Sequence, residues 1–392
     1  MLAARQAVRS VATPELVRTV AVRYVAHMRI RNFFWLAALL SITLGCGAPQ
    51  TVAPTRNAPT DDGLPVRVTA LAQTAKLHGW VLVAQGDRVL VSTGIGTTTP
   101  TTQSRFTVEQ RWTLASITKQ ILAVLMMQAV ERGLVALDQP VRSYLPGFTS
   151  ANAGTVTVRH LLRHQTGFPN PDDSPKIAVG VPALYSAATP APDMLAYCGS
   201  AITGPSGAAW TYNNCDYTVA VALLEQVTGK PWAMHIAELN KKLHTSFSDH
   251  GDRIAGYEGL VSDQGLFDFA RYKGAGDLTG SIMDMLAFDR ALLSGTLLSA
   301  ASRAQLWDGQ AELGFIALGQ WSFPVALSAC QREVRVVERR GAFGYVGVRN
   351  VLVPELDLVI IAFNNRAEVD FGEPWSGQGL THDLLSAIIC KR

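Results

Sequence analysis

The chain has 392 residues, 48% of them hydrophobic and 17% charged, and a formal net charge of +3. This is an ordinary globular composition, and the charge gives no support for a nucleic-acid partner. The length allows one large domain or two small ones.

The basic excess sits at the start, where Arg5, Arg9, Arg18, Arg23, Arg29 and Arg31 face a single acid, Glu15. Met28–Gly47 reads as an export signal: Arg29 and Arg31 are its positive start, and Phe33–Leu44 is an apolar run of 12 residues. A membrane-spanning helix needs about 20, so the run fits a leader better than a span. It leads into Thr43-Leu-Gly-Cys46, which resembles the lipobox of bacterial lipoproteins, with Thr43 where leucine is usual. Cys46 is thus the expected lipidation site; ordinary cleavage after Gly47 or Ala48 is the alternative. Met28 is the expected first residue and 1–27 an over-extended start, with an Arg-rich organelle presequence as the rival. Pro49, Pro54, Pro59 and Pro65 then punctuate a segment with no apolar period, a tether. The expected organisation is 1–46 extension and signal, 47–66 tether, 67–392 domain. The expected location is periplasmic, with membrane attachment through the lipid; oligomeric state is left open.

Val68–His78 carries a weak helical pattern. Trp80–Ala84 and Arg88–Thr93 are β-rich runs around Gln85-Gly-Asp87, a hairpin signal. Gln120–Arg132 reads as a helix with Ile121, Leu122, Leu125, Met126 and Ala129 on its buried face, stopped at Gly133. Thr157–His164 is a short helix and Gln165–Pro169 a turn. His160 and His164 lack the intervening Glu of a zinc protease, so no metal is expected there. Residues 170–209 are expected to wander over the surface. Helices follow at Tyr217–Val227, 233–242 and Met283–Leu293, around a Gly-rich stretch at Ala275–Gly280. Phe315–Phe323, Glu333–Glu338, Val346–Val353 and Leu358–Asn364 read as strands, and Leu380–Cys390 as a terminal helix. Strands, a helical middle, strands and a helix make an α+β fold, with one antiparallel sheet built from both ends of the chain and a helical lobe inserted between them.

With Cys46 set aside, Cys198, Cys215, Cys330 and Cys390 remain, an even number in an exported chain. Three pairings are open. Cys198–Cys215, which closes a short loop, is favoured, with Cys330–Cys390 by elimination; free buried thiols are the alternative.

Ser116 and Lys119 stand in a Ser-x-x-Lys spacing at the start of the 120–132 helix. Three residues apart, they share a helical face. A serine hydroxyl needs a base to become a nucleophile, and a lysine whose pKa is lowered by burial can supply one. Gly133–Pro146, Val156–Pro169 and Gly276–Asp284 are similar to stretches of the serine β-lactamase and penicillin-binding-protein superfamily, in its branch of class C β-lactamases, D,D-peptidases and family VIII esterases. Tyr212-Asn213-Asn214 is similar to the second motif of that superfamily, Tyr-x-Asn. Its third, Lys-Thr-Gly or His-x-Gly, falls on Arg339-Arg340-Gly341.

The resemblance implies a β-lactamase/transpeptidase-like fold and an exported serine hydrolase that needs no cofactor. Ser116 would be acylated, with Lys119 and Tyr212 moving its proton as one coupled unit. Asn214 would bond Lys119 and the substrate. The backbone N–H groups of Ser116 and Ala342 would form the oxyanion hole. Arg339 departs from the usual residue: it keeps positive charge near Tyr212 without acting as a base, is able to hold a substrate carboxylate, and is long enough to narrow the cleft. Alternation places Arg335, Val337 and Arg339 on one face of a strand, with Gly341 anchoring the register; a surface arginine on an edge strand is the plain alternative. Small esters, D-amino-acid peptides and β-lactams are the expected substrate classes, in that order. A non-catalytic homologue binding cell-wall peptides is the rival reading. An α/β-hydrolase is not supported, because no Gly-x-Ser-x-Gly elbow occurs.

Overall fold

A computed structural model describes residues 63–177, 181–249, 251–257, 265–366 and 369–390. The export signal, Met28 and Cys46 lie outside the described residues, as does the tether up to Asp62.

The elements, in chain order, begin with α1 (Leu64–Thr74), β1 (Gly79–Gln85), β2 (Arg88–Ile95) and β3 (Trp112–Thr113). After a 3₁₀ turn at Ala115–Ile117 come α2 (Thr118–Glu131), α3 (Val158–Leu162), α4 (Met194–Gly199), α5 (Asn214–Thr228) and α6 (Trp232–Leu243). Then follow β4 (Thr279–Gly280), α7 (Ile282–Leu293), α8 (Ala300–Leu306), β5 (Trp321–Leu327), β6 (Arg332–Phe343), β7 (Val346–Val353), β8 (Leu358–Asn364) and α9 (Leu380–Ile389). Helix α1 starts at Leu64, inside the segment expected as tether, because Pro65 suits the first turn of a helix.

The main sheet has the order β2-β1-β8-β7-β6-β5, and every pairing is antiparallel. The N-terminal hairpin joins the C-terminal strands through β1 against β8. Strand alternation sends successive side chains to two different cores. On β1, Leu82 and Ala84 face the helical lobe, whereas Val81 and Val83 pack against α1 and α9. Helix α2 runs through the middle of the lobe. Eleven of its residues are buried, Lys119 and Gln120 included, so it is enclosed on nearly all sides rather than along one stripe.

One expected strand is corrected. Phe315–Phe323 is rich in apolar residues, but the chain turns with φ of 64° at Phe315 and 78° at Gly319, and β5 begins only at Trp321. The turn carries this stretch across α2 so closely that a Cβ on Gly319 would stand 2.8 Å from the Lys119 carbonyl oxygen. Burial under the lobe, not strand pairing, accounts for its apolar residues. Strand β6 in turn runs past Glu338 to Phe343, so Arg339, Arg340 and Gly341 all lie within it.

Two disulfides tie loops to the frame: Cys198 to Cys215, between α4 and α5, and Cys330 to Cys390, between the β5–β6 turn and the end of α9.

Candidate active site

Ser116 is held by the segment before it. Trp112 and Thr113 pair with β4, and Leu114 N–H donates to the Leu278 carbonyl at 2.9 Å. The backbone then reverses at Ala115, whose φ is 46°. A left-handed conformation at a residue with a Cβ costs about 1–2 kcal/mol, a strain typical of functional turns. Between Trp112 and Met127 only Ser116 is not buried, so the turn presents one hydroxyl to the cleft. The facing strand needs Gly341: a Cβ there would lie 2.3 Å from the Leu114 carbonyl oxygen. Because β5 pairs with β6 only as far as Trp321 with Glu338, the edge of β6 beyond Glu338 is left to face this turn, and Ala342 on it is exposed.

Lys119, one helical turn on, is fully buried with Nζ 3.1 Å from Ser116 Oγ. Nζ also lies 2.7 Å from Asn214 Oδ1 and 2.5 Å from the Ala275 carbonyl oxygen. Burial, then the charge of Arg339, pushes its pKa well below the usual lysine value, against the opposing pull of Asp172, Asp216 and Asp277. This shift favours the neutral amine, which has two N–H donors and one lone pair. The two oxygens take the two donors, and the lone pair is left for the Ser116 hydroxyl.

Tyr212 OH lies 2.5 Å from Ser116 Oγ. Burial raises its pKa; the charge of Arg339 and the Ser116 hydrogen bond oppose that rise without cancelling it. Tyr212 is thus a phenol that donates to the serine, and the proton order runs from Tyr212 to Ser116 to Lys119. Asn213 sets up the second motif. Its side chain accepts from Cys215 N–H as the N-cap of α5 and donates to the Phe168 carbonyl. Helix α5 starts at Asn214, three residues earlier than the apolar pattern indicates, and this turns Asn214 toward Lys119. Asn214 Oδ1 meets Lys119 as expected, and its Nδ2 donates one of its two N–H groups to Asp172 Oδ1 at 3.0 Å.

Arg339 neither reaches across the cleft nor sits on the surface. Its side chain has no exposed area. Nε donates to the Ser116 carbonyl oxygen at 2.8 Å, and Nη2 lies 3.5 Å from Tyr212 OH. The guanidinium carbon sits 5.2 Å from the centre of the Trp321 ring. The expected narrowing of the cleft and the surface alternative are both corrected: the end of β5 at Trp321 leaves room for the side chain to fold in behind the serine.

Beneath Tyr212, His164 Nδ1 accepts from Asn213 N–H at 3.3 Å and lies 3.1 Å from Asp216 Oδ2. Burial pushes Asp216 well up and His164 well down, which favours the uncharged form of the pair. It supports the Tyr212 ring 4.7 Å away. His160 instead closes a capping box with Thr157 at the start of α3. Among the described residues no group of three or more His, Cys, Asp or Glu is placed to hold a metal.

Sequence reasoning missed the Ala275 carbonyl, Asp172 and Asp216. A backbone acceptor has no residue-type signature; the Gly-rich 275–280 stretch is the local feature from which a close approach could have been read. Asp172 lay in a segment read as surface loop.

A family model described as Beta-lactamase matches residues 67–376. Penicillin-binding protein 4* of Bacillus subtilis (strain 168) is 23% identical over 332 residues, covering 76% of this chain and 70% of that protein. A D-aminopeptidase of Cereibacter sphaeroides (strain KD131) is 26% identical over 228 residues, 53% of this chain and 41% of that one. Among solved structures, EstCE1, a hydrolase with promiscuous acyltransferase activity, shares the fold with a TM-score of 0.69 at 19% identity, over 84% of this chain and all (100%) of that one.

Proposed function

The chain belongs to the β-lactamase family and is a serine hydrolase, and we propose that it cleaves an ester or amide through an acyl-enzyme on Ser116. The observation that carries this is the environment of Lys119 Nζ, with two acceptors for its two N–H groups and Ser116 Oγ at the third position. Lys119 takes the Ser116 proton as Oγ bonds to the substrate carbonyl carbon. The oxyanion that forms is received by the backbone N–H groups of Ser116 and Ala342. Tyr212, already bonded to Oγ, passes a proton to the departing nitrogen or oxygen as its bond to carbon breaks, and is reprotonated from Lys119. Water then attacks the ester, with Lys119 again accepting a proton, and restores Ser116.

Small esters, D-amino-acid peptides and β-lactams all suit this chemistry, in that order of preference. The arginine in the third motif, where β-lactamases carry lysine, supports that ranking. The D-aminopeptidase relative supports the second class. The reading includes export, with Cys46 lipidated and Met28 as the first residue; mass spectrometry of the mature N-terminus tests the lipidation, and of the unprocessed protein the start.

A fluorophosphonate probe is the direct test of the hydrolase reading. It labels the wild type and not Ser116→Ala. No labelling of a folded wild-type protein would favour a non-catalytic peptide-binding homologue instead.

A further inference from the structure

We infer that Asp277 is a positioning residue for Lys119: its buried carboxylate braces the 272–278 turn against α6 and so fixes where the Ala275 carbonyl meets the lysine amine. The inference rests on the serine-hydrolase reading above and adds a residue behind the Ser116–Lys119 pair.

Asp277 is 1% exposed. Its Oδ1 accepts from Gly274 N–H at 2.9 Å and its Oδ2 from the Trp232 indole Nε1–H at 2.8 Å. Both donors are neutral, and burial holds the pKa of the acid up to about 7 against them. A carboxylate in such a place is tolerated where its oxygens are bonded, and here the two partners lie on different elements. One is in the turn; the other opens α6. Trp232 is itself fixed: its backbone N–H donates to Glu225 Oε1 at 2.6 Å, and Glu225 Oε2 lies 2.8 Å from Lys273 Nζ. Glu225 on α5 thus ties the indole and the turn to one helix.

The neighbours of Asp277 carry the contacts of this turn with the catalytic segment. The Ala275 carbonyl oxygen is 2.5 Å from Lys119 Nζ. Gly276 passes so near that a Cβ on it would stand 3.5 Å from the Ala115 carbonyl carbon. Leu278 N–H donates to Thr118 Oγ1 at 3.2 Å, and its carbonyl accepts from Leu114 N–H at 2.9 Å. The Asp277 side chain instead reaches Trp232. The turn is tight, with Gly274 at a φ of 69° and both Ala275 and Gly276 N–H donating to the Tyr272 carbonyl. Without the brace this turn shifts, Lys119 loses the acceptor for one N–H, and its lone pair rotates off Ser116 Oγ. Lys119 serves both acylation and release of the acyl group, so both steps slow together: the loss falls on kcat and leaves KM nearly unchanged.

The test measures hydrolysis of p-nitrophenyl butanoate by the full chain and its variants, each checked for folding by near-ultraviolet circular dichroism. An amide at position 277 offers its oxygen to one donor and its own N–H groups to the other. Asp277→Asn therefore lowers kcat by at least about tenfold, with KM within about twofold of wild type. Trp232→Phe keeps the ring and the carboxylate but removes the indole donor, and lowers kcat by about threefold. In the double variant the new amide faces no opposing N–H and is free to accept from Gly274, so kcat recovers from the Asp277→Asn value toward that of Trp232→Phe. Undiminished kcat in either single variant, losses confined to KM, or a double variant no faster than Asp277→Asn overturns the inference. If Asp277→Asn fails to fold, the kcat of Trp232→Phe decides by itself. Fluorophosphonate labelling of Ser116 reads the hydrolase separately. A labelled, active wild type with undiminished variants sinks the inference alone; no label and no ester cleavage by the wild type sinks both.

Discussion

Arg339 Nε donates to the carbonyl oxygen of Ser116 at 2.8 Å, joining two residues 223 positions apart. The bond links the third motif to the serine's own backbone rather than to the substrate. Its charge acts on both proton-handling groups, lowering Lys119 and restraining the rise of Tyr212. Removing the charge makes the Lys119 ammonium less costly, so its pKa rises. Activity that needs the free amine is then lost at higher pH. Arg339→Gln should shift the acidic limb of kcat/KM upward. Arg339→Lys keeps the charge but not the planar Nε contact, so kcat should fall with a smaller shift of the limb. Equal shifts in the two variants would contradict this division of roles.

Asp172 predicts the opposite sign. Its negative charge raises Lys119, so Asp172→Asn should move the same acidic limb downward. A pH profile on an amine-free ester isolates this effect from substrate charge.

Gly341→Ala should damage the site through the backbone. The new Cβ would fall 2.3 Å from the Leu114 carbonyl oxygen, and Leu114 is itself anchored to Leu278. Overpacking of this kind costs about 1–3 kcal/mol. Both the denaturation midpoint and the acylation rate should fall, the rate more, because the displaced turn carries Ser116.

The Cys198–Cys215 disulfide spans 17 positions and ends one residue after Asn214. A loop of this size stabilises by about 3 kcal/mol in the chain-entropy account. The double serine variant should lose that order of stability in urea and turn over more slowly, since the first turn of α5 positions Asn214. Unchanged kinetics would show that the Asn213 cap holds the turn alone.

The two-ended sheet was readable because both strand pairs carry dense β-branched runs, and the Ser116–Lys119 pair because helical spacing puts both on one face. The limits were local. Asn214 lay outside the expected helix because the apolar period begins at Tyr217, whereas the cap is made by a polar side chain, Asn213. Phe315–Phe323 passed for a strand because apolar residues packed under a lobe look the same as residues packed in a sheet. The direction of Arg339 depended on where β5 stops, a tertiary fact. Asp172 gave no signal until the fold brought it to Asn214.

The most direct measurement is intact-mass analysis with peptide mapping after brief exposure to p-nitrophenyl esters, D-Ala-D-Ala peptides and penicillins. The proton order from Tyr212 through Ser116 to Lys119 predicts a single acyl adduct on Ser116, absent from Ser116→Ala and strongly slowed in Lys119→Met. An adduct on another residue, or undiminished turnover by Ser116→Ala, would contradict it.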